Sequence, residues 1–345
     1  MVAGRSGERV GGIAMRAVVV ERPGAVSVTT TADPEIGRDD VLIRVNGCGI
    51  CGTDLHIVEH GIPTIRYPVV PGHESWGEVV EVGTRGDLPV VGQFVAIDPS
   101  LHCGVCGECR RGCGNLCERW GSIGGTRNGA WADLVAVPGR NVHVLRDDYP
   151  TELAVAIEPV ACLIRGMRLV APEAGRTALV FGAGTMGTLW ALALRIAGVR
   201  VVGVVETLPE RRALCEALFD LPVVAPDASA GLEADYVIDA TGSLAAMEEA
   251  VWHARPGGTV MFFGVTSEGA RIAVPPFRLY QRELRILSSM AIVHSFGDAV
   301  SYVAEHGEAL RPVVTNVFGL ADFKSALSCL AGGRALKVAL NPRFG

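Results

Sequence analysis

The stretch "TALVFGAGTMGTLWALALRIAGVRVVGVVE", Thr177–Glu206, decides how the rest of the chain is read. "TALVF" is a short apolar run, "FGAGTMG" a glycine turn, "TLWALALRIAG" a helix-like stretch and "RVVGVVE" a second apolar run. A G-x-G-x-x-G turn alone is weak evidence, but between a strand and a helix it has the context that dinucleotide binding requires. Gly182 allows the tight turn, Gly184 lets the backbone approach a pyrophosphate, and Gly187 lets helix and strand pack closely. Glu206 ends the second strand. A carboxylate there accepts hydrogen bonds from both adenosine ribose hydroxyls and repels a 2′-phosphate, so NAD(H) is expected over NADP(H). Arg211, five residues on, is the natural cation over the adenosine.

Working outward, "ADYVIDATG", "GTVMFFGV" and "ELRILSS" continue as apolar strands separated by helix-like stretches such as "SLAAMEEAVWHA". Strands alternating with helices predict a parallel, doubly wound sheet, an α/β Rossmann domain. Upstream, "RAVVV", "VLIRVNGCGI", "WGEVVEVG", "QFVAI" and "WADLVAVP" alternate short apolar runs with Gly and Pro turns, the rhythm of a mostly antiparallel β domain. The tail "ALKVALN" reads as one more strand, returning to the first domain. A length of 345 residues suits two domains, each able to bury its own core.

The net charge of −6 and the lack of any Lys/Arg-rich run exclude a phosphate-backbone partner. Only Lys324 and Lys337 among the 31 basic residues are lysine, which is a coding bias and not a nucleic-acid surface. The first fourteen residues, "MVAGRSGERVGGIA", read as a flexible extension without the apolar core of a signal peptide, and no run of eighteen apolar residues follows. The expectation is a cytoplasmic protein without a membrane partner, its thiols reduced.

"CGVCGECRRGCGNLC", Cys103–Cys117, packs five of the ten cysteines into fifteen residues. In a reducing compartment such density means metal before disulfide. Repeated C-x2-C turns let thiolates converge, and four sulfurs close a tetrahedral zinc site with no open position, hence a structural one. Cys103, Cys106 and Cys109 fit directly; spacing leaves Cys113 and Cys117 as alternatives for the fourth ligand. A second set is dispersed: "GCGICGTDLH" offers Cys48, Cys51, Thr53, Asp54 and His56, and "PGHESWG" offers His73 and Glu74. Together they supply the donors of a zinc site that keeps a position open, with carboxylates beside them. "AIEPVAC" adds Glu158 or Cys162 at the junction of the domains.

With these motifs in this order, the chain from Met15 onward resembles the zinc-dependent medium-chain dehydrogenase/reductase superfamily of alcohol, polyol (sorbitol) and threonine dehydrogenases. The resemblance implies a GroES-like catalytic domain, residues 15–163 and 293–345, with a structural zinc lobe at about 100–120, and an NAD-binding Rossmann domain over 164–292. It implies two zinc ions per chain. Cys51 and His73 match catalytic ligands, Glu74 the neighbouring glutamate, Asp54 the residue that orients His73, and Thr53 and His56 the proton relay. Glu158 is favoured over Cys162 because the "EP" pair with "GTDLH" is similar to the polyol and threonine branch. Cys103, Cys106, Cys109 and Cys117 match the structural zinc, leaving Cys113 spare. Met186, Glu206 and Arg211 match dinucleotide contacts; Phe263, Gly264, Val265, Ser289 and Met290 fall where the family lines the nicotinamide pocket. Arg165 departs from the family pattern, which often has His there. It is either a solvated or capping arginine or a cation for an acidic or highly hydroxylated substrate.

The implied activity is NAD(H)-dependent interconversion of a secondary alcohol and its ketone, with a polyol, cyclitol, amino alcohol or 3-hydroxy amino acid as substrate. A homo-oligomer is expected, a tetramer ahead of a dimer. The competing readings are a primary alcohol or aldehyde dehydrogenase, a double-bond reductase, a non-enzymatic nucleotide-binding protein on the same fold, and a zinc-ribbon nucleic-acid binder. The Thr53–His56 pair speaks against the nucleotide-binding protein, and the acidic balance against the last.

Overall fold

Valine-rich runs with alternating burial build the first half. The computed structural model describes residues 14–344, so the N-terminal extension lies outside the described residues except for Ala14. A hairpin of β1 (Met15–Arg22) and β2 (Ala25–Thr31) leads to β3 (Asp40–Ile50), α1 (Gly52–Glu59), β4 (Glu74–Val82) and β5 (Phe94–Ile97). The two-residue strands β6 (Ser100–Leu101) and β7 (Gly121–Ser122) pair and bracket the cysteine-rich lobe with its single-turn helix α2 (Gly107–Arg110). β8 (Leu134–Pro138) pairs with β3, and β9 (Val142–Val144) with β5. The apolar faces close over Ile43, Val45, Ile50, Val79, Val95, Ile97 and Trp131, all buried.

A long helix, α3 (Ile157–Val170), joins this half to the second sheet. There β10 (Thr177–Phe181), α4 (Thr185–Ile196), β11 (Arg200–Val205), α5 (Pro209–Phe219), β12 (Val223–Val224), β13 (Ala234–Asp239), α6 (Leu244–Trp252), β14 (Ala254–Phe262), α7 (Pro276–Arg282) and β15 (Arg285–Ser288) follow in turn. The six strands are all parallel, in the order β12-β11-β10-β13-β14-β15. The sheet therefore reverses direction between β10 and β13, and the crevice at their carboxyl ends is where such folds bind ligands. All five residues of β10 are buried, as a two-sided parallel sheet demands.

The chain then returns through α8 (Phe296–Glu305), α9 (Gly307–Leu310), β16 (Val314–Gly319), α10 (Phe323–Ala331) and β17 (Lys337–Asn341). β17 pairs antiparallel with β3, Val338 opposite Ile50 and Leu340 opposite Cys48, and β16 lies parallel beside it. "ALKVALN" is thus a strand of the first sheet. The expected boundary between residues 163 and 164 falls inside α3, which is one unbroken helix. Its buried face, Ile157, Val160, Leu163 and Val170, belongs to the same core as β10, α4 and α8. A helix shared between two sheets fixes their relative placement through packing, where a linker would leave it free. No helix among the described residues is long and apolar enough to cross a membrane.

Candidate metal centre and dinucleotide crevice

The glycine turn is built as its spacing predicts. Gly182 follows β10 with φ +96°, a conformation that favours glycine, and a Cβ at Gly187 would lie 1.7 Å from the Gly182 carbonyl oxygen. Helix α4 can rest on that carbonyl only because Gly187 has no side chain. Gly184 is the N-cap of α4, and a Cβ there would meet no protein atom within 4 Å, which leaves room for a pyrophosphate to approach the helix start. Met186 lies half-buried in the first turn of α4.

Glu206 follows β11 and is 5 % exposed. One oxygen accepts the Ala183 N–H at 2.9 Å, the other the Leu208 N–H at 3.0 Å, and Arg211 approaches within 3.4 Å. Burial opposes its charge, but these donors hold its pKa below the usual carboxylate value. Phe263 packs edge-on against Trp190 at 5.4 Å, and Gly264 donates to the Asp239 carbonyl. Val265 is almost fully exposed, Ser289 is half-buried, and Met290 accepts through its carbonyl a hydrogen bond from Asn115 in the cysteine lobe. These residues line the carboxyl ends of β14 and β15, beside the crevice.

The cysteine lobe brings Cys103, Cys106, Cys109 and Cys117 together, their sulfurs all within 4.8 Å of one another. Cys103 and Cys109 are 3.9 Å apart, as are Cys106 and Cys117. Four sulfurs at zinc–thiolate bond length in a tetrahedron are about 3.8 Å apart, so the donor set fits that ion. Backbone N–H groups of Val105 and Cys106 point at the Cys103 sulfur and lower its pKa to about 5, while burial pushes Cys109 up to about 12. Cys113 stands outside the group, its thiol directed at the Arg111 carbonyl.

The dispersed set also converges. Cys51 is the N-cap of α1: its sulfur accepts the Thr53 N–H at 3.3 Å while Asp54 accepts the Cys51 N–H at 2.9 Å, a capping box that fixes the thiol at a helix start. His73 comes from the loop ahead of β4, where Gly72 has φ +98° and a Cβ would strike Trp131. The Cys51 sulfur lies 3.2 Å from His73 Nε2, and the fully buried Asp54 lies 3.4 Å from His73 Nδ1. A carboxylate behind an imidazole sets the tautomer and orientation a metal ligand needs. Burial works against charge on His73, but Cys51 and Asp54 outweigh it and raise its pKa well above normal. From α3, Glu158 completes a group with His73 and Glu74, all within 4.8 Å. Burial lifts Glu158 to about 7, and the Cys162 thiol donates to it at 3.5 Å. Glu158 thus reaches the cluster, with Cys162 behind it as its donor. Thr53 and His56 are exposed on α1, and among the described residues no hydrogen bond joins their side chains.

The sequence reading missed Lys337. Its ammonium lies 2.6 Å from both Glu74 oxygens and 3.2 Å from the Ile50 carbonyl, with lysine and glutamate 1 % and 2 % exposed. Burial opposes the ammonium, yet Glu74 and Cys51 keep its pKa above normal. The signal was present: a lysine inside the apolar run "ALKVAL" is buried, and a buried lysine is paired. It also missed Asp239, whose carboxylate gathers Thr241 and the Gly242 N–H.

Residues 37–147 match the family model of the alcohol dehydrogenase GroES-like domain, and residues 185–305 that of zinc-binding dehydrogenases. D-arabinitol dehydrogenase 1 of Uromyces fabae is 31 % identical over 95 % of this chain and 97 % of its own. The chain belongs to the zinc-binding dehydrogenases. It is an oxidoreductase of the alcohol dehydrogenase type. D-altritol 5-dehydrogenase of Agrobacterium fabrum (strain C58) is 32 % identical over 89 % of this chain and 90 % of its own. Among solved structures, a protein of Sinorhizobium meliloti 1021 described as a zinc-binding dehydrogenase and bound to NADP superposes with a TM-score of 0.90, at 30 % identity over 96 % of this chain and all of the other.

For this dehydrogenase, replacing Cys117 by Ser should remove one zinc per chain and lower the melting temperature, while Cys113→Ser should keep both; metal analysis by mass spectrometry with calorimetry checks this. Lys337→Met strands the Glu74 carboxylate in the interior and should cost about 3–5 kcal/mol of stability by urea unfolding. A loss below about 1 kcal/mol would mean that the ion pair is not what holds the two strands.

Proposed function

We propose that this zinc-binding dehydrogenase interconverts a secondary alcohol and its ketone with NAD(H), and that its substrate is a polyol or a similarly polar hydroxylated molecule. His73 carries the reading: it joins the group of Cys51 and Asp54 to that of Glu74 and Glu158, and Cys51, His73 and Glu158 as three donors would leave one position for a substrate oxygen. The polyol dehydrogenases among its relatives support the substrate class. Residues 15–163 with 293–345 would then serve the metal and 164–292 the dinucleotide. All ten cysteines are unpaired, which supports a reducing, cytoplasmic setting.

Zinc held by Cys51, His73 and Glu158 would supply Lewis acidity to a hydroxyl, and NAD+ in the crevice beside Glu206 would accept the hydride, so that alcohol and NAD+ become ketone, NADH and a proton. The chain's residues do the rest. Asp54 keeps His73 in its binding tautomer. Lys337 neutralises Glu74 and keeps it beside the donors, where it is available to exchange with a substrate oxygen. Thr53 Oγ1 takes the hydroxyl proton, and the ribose hydroxyl of the dinucleotide links it to His56, which is exposed and passes the proton to solvent. Cys103, Cys106, Cys109 and Cys117 hold the second zinc, closed and structural. Glu206 and Arg211 hold the adenosine end, and Glu206 disfavours a 2′-phosphate. Phe263, Gly264, Val265, Ser289 and Met290 form the nicotinamide wall.

An oligomer is supported by β15, the outer strand of the six-stranded sheet, and by Phe277 and Tyr280, 70 % and 81 % exposed on α7 just before it. An open strand edge beside exposed aromatics is a pairing surface. Light scattering should give an assembly, a tetramer ahead of a dimer, and Tyr280→Glu should shift it to smaller species; a monomeric wild type would refute this.

Cys51→Ser and His73→Ala should each lower turnover of the best polyol at least about 1,000-fold while NADH still binds. The variants are followed by absorbance of NADH and by fluorescence titration, with NADP+ expected to be the poorer acceptor. Wild-type turnover in either variant would remove the metal cluster from the chemistry.

A further inference from the structure

Three arginines bury Nε with no hydrogen-bond partner: Arg165, Arg211 and Arg282. Arg211 pairs with Glu206 and Arg282 with Glu233 through their other nitrogens. Among the described residues the Arg165 side chain has no ion pair and no hydrogen bond. It does not cap its helix, since its side chain bonds none of the carbonyls at the end of α3, while Arg168 in the last turn reaches out to Asp298 and the His294 carbonyl. A half-buried guanidinium with nothing to bind costs desolvation and gives no return in stability.

Its position explains the cost. Glu158, Cys162 and Arg165 stand at i, i+4 and i+7 of α3, one face of one helix. The first two belong to the metal cluster and its immediate support. The next residue, Gly166, is close enough to the nicotinamide wall that a Cβ would lie 3.1 Å from Phe263. Arg165 therefore sits about 10 Å along the helix axis from Glu158, and helical side chains lean towards the N-terminus, which brings the guanidinium back towards the cluster. Arg165 thus shares the face of α3 that carries Glu158 and Cys162, in the stretch of the helix that also reaches Phe263 through Gly166.

We propose that Arg165 is a specificity residue that binds a carboxylate of the substrate, so that the preferred alcohols are hydroxy acids of the aldonate kind and not neutral polyols. This rests on the dehydrogenase reading above and narrows its substrate class. A planar guanidinium matches a carboxylate in two parallel hydrogen bonds, and a charged acceptor gains roughly twice what a neutral hydroxyl does. The carboxylate lies several bonds from the carbinol carbon, at the end of the molecule away from the metal.

The test uses the zinc-loaded protein saturated with NADH, titrated calorimetrically with a panel of aldonates and the alditols of the same configuration. The wild type should bind its best aldonate at least about tenfold tighter than the matching alditol. Arg165→Gln should erase that preference, Arg165→Lys should restore part of it, and NADH affinity should stay within about twofold in both, as expected for a group that contacts only the substrate. Equal binding of acids and alditols by the wild type, or no acid bound at all, would overturn the proposal. So would an Arg165→Gln variant that loses NADH affinity instead, since its partner would then be the dinucleotide phosphate. A wild type that failed to bind NADH would overturn the dehydrogenase reading itself, and this inference with it.

Discussion

The Lys337 ammonium sits between the two oxygens of Glu74, 263 residues away in the chain, with both side chains cut off from water. Charges so far from solvent persist only when paired, and the pair in turn fixes which face of β17 looks inward. A slip of one residue in the pairing of β17 with β3 would turn the ammonium to the opposite side of the sheet. The same segment reaches the other half of the molecule. The Leu336 carbonyl, one residue earlier, accepts a hydrogen bond from Thr185 at the first turn of α4. Two adjacent residues thus tie the strand beside the metal cluster to the helix beneath the dinucleotide crevice. Both reactant sites depend on that strap.

The two cysteine-bearing sites differ in how they are held. The lobe of Cys103–Cys117 is assembled within fifteen residues, and its sulfurs receive N–H groups from neighbouring turns. It closes by local geometry and needs little from the rest of the fold. The dispersed cluster draws Cys51 from a helix cap, His73 from a glycine-dependent loop and Glu158 from α3. Its groups sit in low dielectric, so the ordinary thiol and carboxyl are both pushed up in pKa, Glu158 to about 7. A dication repays that desolvation most where the donors are most deprived of water. One group of donors is local and supported by backbone N–H groups, whereas the other is assembled across the fold and buried.

Much of this was legible along the chain. The strand, glycine turn and helix of Thr177–Ile196 act over few residues, and Gly182 and Gly187 are required by backbone geometry that a spacing pattern reports faithfully. Cys51 as a helix cap and the lobe cysteines are equally local. The pairing of Lys337 was not legible, because the need for a partner shows in an apolar strand but the partner's address does not. Arg165 was ambiguous for the same reason: a helical position tells which face it occupies, and only the structure shows that no carboxylate among the described residues pairs with it. The boundary expected after residue 163 falls within α3, a single helix packed on both sheets, which has no composition shift to mark a division.

By itself the sequence determined the order of its main strands and helices, the glycine turn, the two groups of candidate donors and the class of fold, because periodicity and turn chemistry act between near neighbours. The tertiary structure alone decided that Cys113 stands outside the group of four sulfurs, that Glu158 reaches His73 with Cys162 behind it, that Lys337 closes on Glu74, and that the Arg165 side chain has no partner among the described residues. Those outcomes depend on distances between side chains far apart in the chain, where burial sets the strength of every charge and no local pattern records who stands opposite whom.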